Sequence, residues 1–390
     1  MNINALIAAL IAFGIPLIFL VVIYTMDLYA SRSFRLVVLC FFWGALGAYL
    51  IAEFLNFRIA TPLAGIIGGS TMLIATVWVA PIVEEIGKSL WVFYISRRPE
   101  FTYFVDGMIY GFASGIGFSI HENFLYMQMD PTQGIGTALT RSFSTCLMHG
   151  TASALVGGAV GWFRFQKRSG RILAMIGGWA MAFGLHTLFN RVAWAWMDAG
   201  IWGTIGGMAI GLAGVGAIAV FITLGIREQR KWLKETLDRR VGVTSAESRI
   251  IQEYEDLEDI IEPITKQFPR DADNIRAFLH RQVQIGLKTK VRQKINDPKM
   301  EAKLDEEIAQ LRQEMEQIRR ETGVYVMGFV RTIFPNEALP IWRRLEEVAA
   351  QGGPTDLTRW AEMLSDKDKE EQDQDDSKPE VNIFARIQKG

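Results

Sequence analysis

The chain has little of what builds small secreted or nucleic-acid-binding proteins. It contains two cysteines in 390 residues, Cys40 and Cys146, and both lie in apolar stretches. This placement argues against a disulfide framework or a thiolate metal site. No nucleic-acid-binding motif is present. The start of the chain, Met1 to Asn4, also lacks the basic residues of a cleaved signal peptide, so we expect the apolar run after it to be a first membrane helix.

Charge is scarce in the first part of the chain and concentrated in the second. Residues 1–226 contain 12 Lys/Arg and 9 Asp/Glu, whereas residues 227–390 contain 29 and 33. The first part instead has repeated apolar runs near the ~20 residues that cross a bilayer. We therefore predict an all-α protein with a polytopic transmembrane helix bundle over residues 1–226. A charged, soluble helical region over 227–364 and an acidic, disordered tail over 365–390 should follow.

The apolar runs predict seven or eight membrane segments. They lie at about Ala5–Met26, Leu36–Leu55, Pro62–Ile95, Val105–Gln128, Ala138–Phe163, Ile172–Trp196 and Ile201–Ile226. The third run is too long for one simple crossing, and Pro81 should kink or break its helix. Residues 62–80 could therefore cross the membrane on their own, which would give eight segments instead of seven.

Basic residues between the segments favour the seven-segment alternative. Clusters follow the first, third, fifth and last segments, and with seven crossings all four fall on one side of the membrane. That side is the cytoplasm by the positive-inside rule. We therefore expect a multi-pass protein of the cell membrane with a cytoplasmic C-terminal region. A short heptad pattern from Leu304 to Ile318 predicts a cytoplasmic partner or self-association through the C-terminal helices.

Ionisable residues interrupt the apolar segments. Three of the four histidines, His121, His149 and His186, lie in these segments. Hydrocarbon penalises ionisable groups by a few kcal/mol or more, so such residues usually serve a function. A small-residue stripe of Gly107, Gly111 and Gly115 accompanies them, and its spacing by four predicts close helix packing.

A carboxylate pair begins the series of polar residues. In the run Glu84-Glu85-Ile86-Gly87-Lys88, the lysine lies four and three residues after the acids, so on a helix it can neutralise one of them. The other carboxylate could then face a cavity and act as a general base. An interfacial ion pair at a helix end is the structural alternative for this run taken alone.

Further polar residues fall at one predicted depth. In the seven-segment topology Glu122, His149, His186 and Asn190 all lie in the outer half of the bilayer. Acids, imidazoles and an amide around one water-filled cavity would make a hydrolytic site. Glu122 and the two histidines could bind Zn²⁺ and leave a position open for water. Without metal, a glutamate would deprotonate the water, and histidine and asparagine would stabilise the oxyanion.

These motifs, in this order, resemble those of PrsW-type intramembrane proteases, which are related to CAAX prenyl endopeptidases and bacteriocin-processing membrane proteins. The similar residues are Glu84-Glu85-x-x-Lys88, Phe118-x-x-x-Glu122, His149 and His186-x-x-x-Asn190. The resemblance covers roughly residues 36–226. It implies an intramembrane endopeptidase that cleaves membrane-tethered proteins, such as an anti-sigma factor, while embedded in membrane lipid.

The resemblance also implies roles for individual residues. Glu84 and Glu85 would form the catalytic acid pair, with Lys88 beside them and Asn190 as a polarising amide. The candidate metal ligands or catalytic partners would be Glu122, His149 and His186. In the CAAX relatives the second motif ends in histidine, whereas this chain has Glu122 there.

Two other functions fit the same residues. Intramembrane carboxylates and histidines also build transporters and proton pathways, although no clear inverted repeat is visible. The long charged C-terminal part would also suit a non-catalytic membrane scaffold, although every polar position of the family pattern is present.

Overall fold

A computed structural model describes residues 3–26, 33–129, 134–195, 200–236, 266, 268–295 and 297–332. Within these ranges every regular element is a helix and no strand is present. The prediction of an all-α protein is therefore confirmed for the described part of the chain. The predicted tail over residues 365–390 lies outside it.

The helices of the first part of the chain run back and forth as a bundle. In chain order they are α1 (Ile3–Thr25), α2 (Phe34–Phe42), α3 (Tyr49–Ile67), α4 (Thr71–Ile74), α5 (Ala80–Ile95), α6 (Phe104–Met129), α7 (Gly134–Phe143), α8 (Thr145–Trp162), α9 (Arg168–Ala195) and α10 (Ile201–Thr236). Two π-helical stretches join neighbouring helices: Trp43–Ala48 between α2 and α3, and Ala75–Val79 between α4 and α5. Two long helices follow, α11 (Ala272–Lys294) and α12 (Pro298–Thr332).

In the part of the chain that the structure describes, four helical stretches are long and apolar enough to cross a membrane. They are Ile3–Thr25, Phe34–Ile67, Ser169–Ala195 and Ile201–Leu233. Their mean hydropathy lies between 1.6 and 3.1, which is typical of membrane-spanning helices and makes the chain a membrane protein. The predicted segments at 62–95, 105–128 and 138–163 are also largely helical, but they carry more polar residues.

The break between the second and third predicted segments lies later than the sequence indicated. Pro62 is inside α3, and Gly68 and Gly69 end that helix with φ angles of 75° and 111°. Glycine adopts such angles readily because it has no Cβ. Residues 62–80 therefore do not form one separate helix, since α4 begins only after this turn.

Pro81 also has a milder effect than predicted, because it does not break its helix. It lies in the first turn of α5, directly after the π-helical stretch Ala75–Val79. Proline lacks the backbone N–H that a regular α-helix would use at that point. The wider π-helical turn accommodates the missing bond, and single π turns of this kind are frequent at functional sites.

Helices α6 and α8 pack closely at the centre of the bundle. Gly107, Gly111 and Gly115 lie on α6 where any Cβ would collide with backbone carbonyls of α8. Small residues at such positions let two helix backbones approach each other. This contact places Glu122 of α6 beside His149 of α8.

Helices α11 and α12 pack against one end of this bundle. An apolar cluster joins them to α10 and to the residue before α6, and its members are Tyr103, Trp232, Val291, Ile295, Met300 and Leu304. Lys288 on α11 also donates to the carbonyl of Pro99 at 3.2 Å. Helix α10 continues without a break past residue 226, so the predicted domain boundary lies inside a helix, and a separate soluble domain stays a prediction.

Candidate active site

Four helices bring the predicted polar residues together inside the bundle. The contributing side chains are Glu84, Glu85 and Lys88 of α5, Glu122 of α6, His149 of α8 and His186 of α9. All except Glu122 are buried. Buried charges are stable only when they are paired and hydrogen-bonded, and the contacts within this cluster follow that rule.

The carboxylate of Glu85 is the centre of the cluster. Its Oε1 lies 2.6 Å from Lys88 Nζ and 2.9 Å from His186 Nδ1. Its Oε2 accepts a hydrogen bond from Ser153 at 3.2 Å. Three partners saturate this carboxylate, so Glu85 is placed to orient its neighbours and has little capacity left to accept a proton.

The contacts of His149 define its tautomer. Nδ1 lies 2.8 Å from Lys88 Nζ, and Nε2 lies 3.1 Å from Glu122 Oε2. An ammonium group can only donate and a carboxylate can only accept. Nδ1 is therefore the acceptor, and Nε2–H donates to Glu122. His149 thus links the saturated Lys88–Glu85 pair to the carboxylate of Glu122.

Glu84 and His186 present two unused acceptor atoms to each other. His186 donates from Nδ1 to Glu85, which leaves the lone pair of its Nε2 free. Glu84 Oε1 accepts from Asn56 Nδ2 at 3.3 Å, but the buried Glu84 Oε2 has no hydrogen-bond partner among the residues that the structure describes. The two unused atoms are 3.9 Å apart. Two acceptors that face each other this closely need a proton, a water molecule or a cation between them.

The same atoms suit a metal ion. Glu84, His149 and His186 each offer a ligand atom, and the three atoms lie within 4.8 Å of one another. Glutamate and histidine are common zinc ligands. The bond from His186 Nδ1 to Glu85 matches the outer contact that orients metal-binding histidines. The donor set therefore fits a divalent metal, provided that His149 exchanges one of its present hydrogen bonds for the ion.

This group differs from the predicted ligand set in one residue. The sequence suggested Glu122 together with the two histidines, whereas Glu84 takes the place of Glu122 in the compact group. Glu122 Oε2 instead lies 2.9 Å from Arg141 Nη2 and 3.1 Å from His149 Nε2. The roles assigned from the sequence stay predictions.

Glu122 is the most exposed member of the cluster. Its side chain is 19% exposed, compared with 1% for His149. Arg141 of α7 is 14% exposed; it also donates to Asn123 Oδ1 at 3.0 Å and covers the ring of Tyr126 at 3.8 Å. Arg141 was not among the predicted site residues, although a lone arginine close to the start of an apolar segment is a signal of function.

Two predicted polar residues lie outside the cluster and contact π-helical carbonyls instead. Asn190 donates from Nδ2 to Thr76 O at 2.7 Å. His121 donates from Nδ1 to Ala45 O at 2.8 Å, and its ring stacks on Tyr49 at 3.7 Å. His121 therefore points away from Glu122, its neighbour in sequence, as adjacent helical positions do.

Asn56 and Ser153 also contact the two carboxylates, and neither was predicted to have a role in the site. Small polar residues in membrane helices are frequent and often only pack, so their types alone were no signal.

Comparison with known proteins identifies a family for the chain. A family model described as PrsW family intramembrane metalloprotease matches residues 32–226, which is half of the chain. Searches of curated proteins and of solved structures gave no significant match.

Proposed function

The chain belongs to the PrsW family of intramembrane metalloproteases, and we propose that it hydrolyses peptide bonds of membrane-tethered proteins at the Glu84–His186 centre. Family membership favours hydrolysis over the transporter and scaffold alternatives. The observation that carries the assignment of the centre is the pair of unused acceptor atoms, Glu84 Oε2 and His186 Nε2.

The contacts of each residue indicate its role in the reaction. Glu84 Oε2 accepts the proton of the attacking water, because it is the carboxylate oxygen without a partner. His186 Nε2 positions that water. Glu85 holds His186 in the required tautomer, and Lys88 keeps Glu85 ionised by pairing with it. Lys88 and Arg141 also place positive charge near the position where an oxyanion would develop.

A divalent metal such as Zn²⁺ would be held by Glu84, His149 and His186. When bound, it would polarise the scissile carbonyl and acidify water. With the ion bound, Glu84 and His186 would be its ligands instead of base and water-positioning group, while Glu85 would still orient His186 through Nδ1.

The position of the cluster supports cleavage near the outer membrane face. Ser33, Glu100 and residues of α11 and α12 line one common cavity, so the loops before α2 and after α5 share a face with the C-terminal helices. Glu122 lies roughly 27 Å along α6 from Phe104, which is close to this face. We propose seven crossings, a cytoplasmic C-terminal region, and a substrate such as an anti-sigma factor that is cut on its extracytoplasmic side.

Two histidine variants of the full chain test this function. In cells that express His186→Gln, at least one single-pass membrane protein should accumulate uncleaved, whereas His121→Gln should behave as wild type. The matched control changes the same residue type in a neighbouring membrane helix, outside the cluster. Metal analysis of the purified proteins is the second readout, and we expect bound divalent metal to be lost with His186→Gln and retained with His121→Gln. Equal cleavage by both variants would contradict the proposed centre.

A further inference from the structure

A cavity of about 600 Å³ lies between the membrane bundle and the start of α12. Its walls come from the end of α5, the turn between α8 and α9, the first turns of α9 and the first turn of α12. Its volume falls within the range of roughly 300–1,000 Å³ that small-molecule sites occupy. None of its lining residues belongs to the catalytic cluster.

Basic side chains dominate the polar part of the cavity. Arg97, Arg171, Lys299 and Lys303 line it, and within the described ranges none of these four has a carboxylate at ion-pair distance. The single acid, Asp297, accepts hydrogen bonds from the backbone N–H groups of Lys299 and Met300 at 3.0 and 3.4 Å, and so caps α12. The cavity therefore carries an excess of positive charge.

A fifth basic residue, Arg164, is buried against the same cavity. Its Nη2 donates to Arg98 O at 3.0 Å and its Nη1 to Thr102 O at 3.4 Å. These partners are neutral carbonyls, and no carboxylate in the described part of the chain lies within ion-pair distance of this guanidinium. Burial lowers the pKa of Arg164 to about 10; the charges of Asp106 and Glu100 oppose this shift, and the charge of Arg171 adds to it. No carboxylate pairs directly with this buried cation, so an anion in the cavity would stabilise it further.

A second part of the cavity wall is apolar and belongs to α5 and α9. It is formed by Phe93 of α5 and by Ile172 and Met175 of α9. Ile172 and the neighbouring Leu173 are 44% and 71% exposed on a helix that is apolar enough to cross a bilayer. A soluble phosphate would use only the basic wall, whereas a phospholipid would use both walls.

We propose that this cavity binds the phosphate headgroup of an anionic phospholipid of the surrounding membrane. The headgroup phosphate pairs with Arg97, Arg171, Lys299 and Lys303, while an acyl chain runs along α5 and α9. Basic pockets between helices on the cytoplasmic side are a common form of lipid recognition. Because two of these basic residues lie on α12 and two on the bundle, the lipid neutralises their mutual repulsion and stabilises the contact between α12 and the bundle.

The test uses the full-length protein in nanodiscs of phosphatidylcholine, with increasing fractions of phosphatidylglycerol. Native mass spectrometry counts the anionic lipids retained per chain, and thermal unfolding reports stabilisation. The double variant Lys299→Gln/Lys303→Gln should weaken phosphatidylglycerol retention roughly tenfold to thirtyfold. Both lysines are exposed, so the variant should keep its fold, which circular dichroism and gel filtration verify.

The matched control is Arg312→Gln/Arg320→Gln, which removes the same charge from exposed positions of the same helix outside the cavity. Retention like that of wild type in this control supports the proposal. Equal weakening in both double variants would overturn it, since attraction would then depend on total charge. A water-soluble competitor, glycerol 3-phosphate, separates the two sources of phosphate. Displacement of the lipid by this competitor at equal concentration would overturn the assignment to a lipid.

Discussion

Two ion pairs of the chain have the same residue types and the same spacing but lie in opposite surroundings. Glu85 and Lys88 on α5 are 2.6 Å apart and are 1% and 0% exposed. Glu228 and Lys231 on α10 are 3.5 Å apart and are 37% and 71% exposed. The buried pair has further partners in His149, His186 and Ser153, whereas water surrounds much of the second pair. Sequence spacing thus predicts that an ion pair can form, while burial and additional partners determine how much the pair contributes to stability.

Replacing Lys88 should give the largest loss of stability. In Lys88→Met the buried carboxylate of Glu85 keeps its contacts with His186 and Ser153 but loses its counter-charge. Breaking a buried pair in this way costs about 3–5 kcal/mol. Thermal or chemical unfolding of the detergent-purified protein measures the change. A loss below about 1 kcal/mol would show that water or a proton compensates the charge of Glu85.

Removing one neutral partner of the same carboxylate should have an intermediate effect. Ser153→Ala deletes the hydrogen bond to Glu85 Oε2 and leaves the ion pair with Lys88 in place. A hydrogen bond to a charged group contributes about 1.5–3 kcal/mol. The same unfolding assay checks this value. A loss of stability as large as that of Lys88→Met would contradict the claim that the ion pair stabilises Glu85 more than Ser153 does.

The exposed pair should give the smallest effect. Lys231→Met makes the same substitution at the same helical spacing, and exposed i,i+3 or i,i+4 pairs contribute about 0.3–0.5 kcal/mol. Salt should screen the exposed pair, so the loss of stability in Lys231→Met should shrink at high salt, unlike the loss in Lys88→Met. If Lys88→Met and Lys231→Met lose the same free energy of unfolding in low and in high salt, burial does not explain the difference between the two ion pairs.

The sequence predicted the parts of the fold that depend on local chemistry. Long apolar runs predicted membrane helices, and the glycine stripe of α6 predicted a close helix contact. The site was predicted by its residue types, since Glu84, Glu85, His149 and His186 are costly in an apolar helix without a function.

Other features depend on contacts between distant segments, which spacing does not reveal. The end of α3 follows from two positive-φ glycines, whereas the apolar runs predicted a segment that begins at Pro62. Of the two adjacent glutamates, Glu85 is the one whose carboxylate has all its hydrogen-bond partners. Two of these partners, Ser153 and His186, lie 68 and 101 positions beyond it in the sequence. For the same reason Arg141 was missed, because its partner Glu122 comes from another helix.

The proposed hydrolysis depends on Glu84 Oε2 as the base, so cleavage by the Glu84→Gln variant is the decisive measurement. Glutamine keeps the shape and the contact with Asn56 but cannot accept the proton of water. At equal folded amounts we expect cleavage of the accumulated membrane substrate to fall about 10²–10⁴-fold, whereas Glu53→Gln, at an exposed carboxylate of α3, should cleave as wild type. Cleavage by Glu84→Gln at the rate of Glu53→Gln would contradict the account.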